Sequence, residues 1–91
     1  MTKSKLRETL TALAQGAAGH CTVDFYEGED NPCGLLANMG LDTWFTFIAA
    51  AQRMLVKDQE VVCPVAFELY NLYHFETIGQ ATEHLWRHRA G

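Results

Sequence analysis

The sequence predicts a mainly α-helical fold: four to five helices around a central helix at about residues 42–57, with room for one short strand. Three observations lead there. Leu41 to Lys57 places Trp44, Ile48, Ala51 and Leu55 at i, i+4, i+7 and i+11, which stacks them on one helical face. Leu6, Leu10, Leu13 and Ala17 draw a second apolar stripe, and Ile78, Ala81 and Leu85 a third. Helices with one apolar side must bury it against one another.

Ninety-one residues, 48% apolar and 20% charged, suit one folded domain with a single modest core, here residues 1–91. Residues 3 to 18 form the first helix, capped by Thr2 or Ser4 and stopped at Gly19. Cys21 to Tyr26 alternates apolar and polar side chains, as a short strand or extended connector does. EGEDNPCG follows as a loop, where Asn31 caps and Pro32 opens a short helix that Gly40 ends.

Asp42 or Thr43 then caps the central helix. Phe47 and Met54 widen its apolar face on one side, Phe45 and Val56 on the other. The apolar arc reaches roughly 200°, wider than a surface helix needs. The helix is therefore expected to be covered over most of its circumference, with Thr46, Arg53 and Lys57 as its polar stripe.

After a polar turn at Lys57 to Glu60, residues 61–75 read two ways. A helix opened by Pro64 aligns Val65, Leu69 and Leu72. A strand puts Val65, Phe67, Leu69, Tyr73 and Phe75 on one face, and pairing it with 21–26 gives an α+β alternative with strands near 21–26 and 65–75. The helix is preferred, because Ala, Glu and Leu form helices readily, Asn avoids strands and Pro suits a first helical turn. Thr77-Ile78-Gly79-Gln80 has the form of a capping box, and Arg87 and Arg89 suit the negative end of the last helix.

The formal charge of −4 is unevenly placed, with ten acids between Asp24 and Glu83 against Arg53 and Lys57 alone. An acidic middle argues against direct nucleic-acid binding, which needs a basic face. No apolar run approaches the roughly 18 residues of a membrane span. The basic N-terminus alternates charge with leucine instead of carrying the apolar core of a secretory signal. Three cysteines, an odd number, read as reduced thiols. These features predict a soluble cytoplasmic protein without a membrane partner.

Chemistry is sparsely supplied. His84 and His88 stand four apart on one side of the last helix, as zinc-binding pairs do, and Cys21, Cys33 and Cys63 could add thiolates. The cysteines are scattered without ligand spacing, so no metal or other cofactor is assigned. Cys33 falls in the first turn of the short helix after Asn31-Pro32 and Cys63 just before Pro64, positions where a helix start would lower a thiol pKa, with His20 or His74 as candidate bases. Serine chemistry has only Ser4, near a fraying end, and there is no phosphate loop. The expectation is a protein that is not an enzyme.

Contact surfaces are better supplied. Tyr26, Glu27, Glu29 and Asp30 set an aromatic anchor among acids that would steer toward a basic partner surface. Phe67, Tyr70, Tyr73 and Phe75 are too many large rings for one small core, so some are expected at the surface. In size, acidity and lack of catalytic motifs the chain resembles the small proteins that phages and mobile elements use to block host machinery, anti-CRISPR proteins among them. That resemblance implies an inhibitor of a larger assembly, whose carboxylates could occupy a basic channel meant for phosphates.

The leading expectation is thus a non-enzymatic interaction module that binds and modulates or inhibits a larger protein or complex. The alternatives are a metal- or thiol-using protein built on His84, His88 and the cysteines, and a structural homo-oligomer, such as a homodimer joined by the surplus aromatics.

Overall fold

In the computed structural model, which describes residues 1–18 and 40–90, the first element is α1 (Lys3–Ala18). Thr2 caps it: its Oγ1 accepts from the Lys5 N–H at 3.1 Å and its carbonyl from the Leu6 N–H at 2.9 Å. Leu6, Leu10 and Ala14 are buried, with Leu13 and Ala17 partly buried beside them. Ala14, outside the expected stripe, is buried because α1 packs on two helices at once, α2 (Leu41–Gln52) and α3 (Ile78–Arg87).

The central position of α2 is as expected, but its cap and its coverage are not. Gly40 is its N-cap, at φ 76° with no side-chain cap, in place of Asp42 or Thr43. A chain arriving with positive φ needs glycine, and Asp42 is already inside the first turn, where its charge suits the helix dipole. Trp44, Phe47, Ile48, Ala51 and Leu55 are buried. Phe45 is 50% exposed, so the apolar arc is open at that residue, whereas Val56 on the same side is packed against the core.

The helix widens at its end into a π-helical turn, Arg53–Asp58. The Gln59 N–H reaches five residues back to the Met54 carbonyl at 2.9 Å, and the Leu55 carbonyl accepts from both Val61 and Val62. Glu60, at φ 52°, turns the chain away.

Residues 64–75 are helical, which removes the strand alternative over 65–75. The form is two 3₁₀ helices, Pro64–Phe67 and Leu69–Phe75, broken at Glu68 by an extended ψ of 152°. The break resets the phase, and three residues per turn replace 3.6. The expected inward line of Val65, Leu69 and Leu72 is accordingly not the buried one. Ala66, Phe67 and Phe75 are buried, Leu72 is half-buried, and Val65 and Leu69 are exposed. The Asn71 side chain spans the break, its Nδ2 donating to the Val65 carbonyl at 2.9 Å.

Thr77 caps α3, its Oγ1 accepting from the Gln80 N–H at 3.0 Å. Ile78, Ala81 and Leu85 are buried as their spacing predicts, joined by Thr82 and His84. At the other end Arg89 lies 4.5 Å over the Trp86 ring and donates to the Trp86 carbonyl. The chain then pairs with residues 61–63: Cys63 N–H to His88 carbonyl at 2.8 Å, Ala90 N–H to Val61 carbonyl at 2.9 Å. That Val62–Arg89 bridge is the strand-like pairing among the described residues. The architecture is a small, mainly α bundle around a central helix. Among the described residues no helix is long and apolar enough to cross a membrane.

Candidate functional site

The Leu69–Phe75 helix divides its large side chains between core and surface. Phe75 is fully buried against Phe67, with ring centroids 5.5 Å apart. Tyr70 and Tyr73 lie three apart, one turn of a 3₁₀ helix, and therefore share a line. Each is 62% exposed, and Leu69 beside them is 83% exposed. The result is an apolar and aromatic ridge beside a buried ring. The neighbouring Glu68 carboxylate raises the pKa of the Tyr70 phenol above its ordinary value, through hydrogen bonding first and then its negative charge.

From the ridge a run of rings leads inward. Tyr73 and His74 are 4.7 Å apart, His74 stacks on His84 at 4.9 Å and 13°, and His88 meets His84 edge-on at 4.7 Å. The three imidazoles line a cleft of about 550 Å³ together with Asn71, Gln80, Glu83 and Arg87. His84 is 8% exposed, at the foot of the run.

Its Nε2 lies 2.9 Å from the Ala66 carbonyl. A carbonyl only accepts, so Nε2 carries the proton, and Nδ1 is the acceptor of the neutral ring. Burial, first, and then the nearby His88, His74 and Arg87 lower the pKa of His84, against the opposing effect of the Ala66 bond. Glu83 is ion-paired with Lys3 of α1, and that hydrogen bond holds its carboxyl below the usual range.

The sequence-predicted residues fall unevenly on this map. Tyr26, Glu27, Glu29 and Asp30 lie outside the described residues, as do His20, Cys21, Cys33, the 21–26 strand and the short helix ending before Gly40. His84 and His88 do come together, and His74 joins them. Their geometry is not that of a ligand set: two rings are stacked, one Nε2 is taken by a carbonyl, and among the described residues no three His, Cys, Asp or Glu side chains converge as metal ligands do. Cys63 is a half-buried thiol before a four-residue 3₁₀ helix, too short for the dipole that activates a cysteine.

Of the four surplus aromatics, Phe67 and Phe75 are core and Tyr70 and Tyr73 are surface. Sequence reasoning did not find His74 as a neighbour of His84, because nine intervening residues and a change of helix type give no periodic signal. Comparisons with known protein families, with curated proteins and with solved structures found no match to this chain.

Proposed function

We propose that this chain is a non-enzymatic interaction module that binds a larger protein or protein assembly, and modulates or blocks it, through the ridge of Leu69, Tyr70 and Tyr73. The observation that carries the reading is their joint exposure beside a buried Phe75. Burying one such side chain contributes about 1.5–3 kcal/mol, and tyrosine adds a hydroxyl at low conformational cost. The available hydroxyls argue the same way. Thr9, Thr11, Thr46 and Thr82 all donate to helix carbonyls four residues back, so they are backbone-bound and not poised as nucleophiles.

The test is comparative capture from a lysate of the organism that encodes the chain. The bait is the wild type or a variant carrying Leu69→Ser, Tyr70→Ala and Tyr73→Ala. A protein recovered by the wild type and lost by the folded variant supports the reading. Identical recoveries overturn the ridge as the contact. Light scattering on both proteins separates the homo-oligomer: a wild-type dimer that the variant abolishes would make the occupant a second copy.

A further inference from the structure

The ridge leaves the adjoining cleft unused, and its lining has an unusual balance of donors. The side chains of His74, Arg87 and His88 all line it, and among the described residues none of the three makes a hydrogen bond or close ion pair, although Arg87 is near enough to Glu83 for its charge to lower that carboxyl's pKa. Among the described residues the lining has one carboxylate, Glu83, already joined to Lys3. His84 cannot serve as counter-charge, since it is buried, neutral in its favoured state and tied to Ala66. Its ring instead spaces the other two histidines, one stacked on it and the other edge-on.

We infer that this cleft is a receptor for an oxyanion, a carboxylate or an inorganic anion, held between the Arg87 guanidinium and the His74 and His88 imidazoles. The charged and titratable groups around it are Tyr73 and His74 from the Leu69–Phe75 helix, Glu83, His84, Arg87 and His88 from α3, and Lys3 from α1 through Glu83. Arg87 is suited to the task, because its planar fork grips two oxygens at once. The site goes beyond the ridge and does not depend on it.

Sulfate is the first probe, because it is a doubly charged oxyanion at any pH at which the protein is folded. Its binding is followed through the ring resonances of His74 and His88. Arg87→Gln weakens its binding about tenfold, and His88→Asn, which keeps a polar side chain, weakens it less. A tetraglutamate peptide forms the second arm. Tighter binding of the peptide than of sulfate identifies an acidic segment of another protein as the source of the oxyanion, and the reverse order identifies a free anion. Resonances that neither probe moves, or an Arg87→Gln protein that binds both as the wild type does, overturn the inference.

Discussion

The Nε2–H of His84 donates to the carbonyl of Ala66 at 2.9 Å, joining α3 to the first of the two 3₁₀ helices. Phe75, at the end of the second, packs its ring edge-on to the same imidazole at 5.6 Å. One buried histidine thus holds both ends of the segment that presents the ridge. It acts through position, as a hydrogen-bond donor and a packed ring.

Replacing it shows how much it holds. His84→Ala leaves a cavity and an unpaired buried carbonyl, and is expected to destabilise the fold by about 3 kcal/mol. His84→Gln, whose amide can still donate, costs about 1–2 kcal/mol. Urea unfolding midpoints at neutral pH compare the three proteins, and equal losses for Ala and Gln would show that the hydrogen bond contributes nothing.

The same residue predicts a pH dependence. Burial holds the folded imidazole below its ordinary 6.5, so as pH falls the unfolded chain takes up this proton first. The unfolded state then binds more protons, and stability rises with pH. His84 therefore makes its full contribution above about pH 6.5 and loses it as the pH falls from there through the folded value. Denaturant midpoints measured down this range should fall for the wild type and fall less for His84→Gln.

A second buried bond ties the core to the same segment. The Trp44 indole N–H donates to the Phe75 carbonyl at 3.3 Å. Trp44→Phe keeps most of the apolar ring and loses the donor, at a cost of about 1 kcal/mol. Trp86 remains as the fluorescent reporter of unfolding. An unchanged midpoint would show that the bond is not made in solution.

Gly40 gives a test of backbone alone. At φ 76° it enters α2 where an added Cβ would meet nothing within 4 Å, so Gly40→Ala introduces strain without collision. The expected cost is about 1–2 kcal/mol, read from thermal or urea unfolding. A neutral result would mean that the chain enters the helix by a different turn.

Much of this bundle was legible in the sequence, and the parts that were not have physical reasons. Trp44, Ile48, Ala51 and Leu55, like Ile78, Ala81 and Leu85, keep a 3.6-residue period against one partner surface, and a period is what a sequence displays. Ala14 was missed because its burial depends on the arrangement of two other helices around α1. Residues 64–75 put apolar side chains in every phase, so no single face stood out, and the reset at Glu68 is a backbone event without a side-chain signature. The candidate site divides the same way. The pairing of His84 with His88 follows from helical spacing, whereas His74 reaches them only through the fold. That four large aromatics exceed the core was countable, but which two would face outward depended on the 3₁₀ geometry.

The ridge itself should be nearly silent in stability. Leu69→Ser, Tyr70→Ala and Tyr73→Ala all replace exposed side chains, and each is expected to stay within about 0.5 kcal/mol of the wild type. The effect belongs to binding, where truncating a buried aromatic anchor costs about 2 kcal/mol or more, a loss of roughly thirtyfold in affinity for the captured partner.

Site-specific photo-crosslinking examines that contact directly. A benzophenone amino acid replaces Tyr73 in one protein and Glu8, exposed on α1, in another, and each is irradiated in lysate. The account predicts a discrete adduct to one partner from position 73 and none from position 8. An adduct from position 8 with nothing from 73 would contradict it.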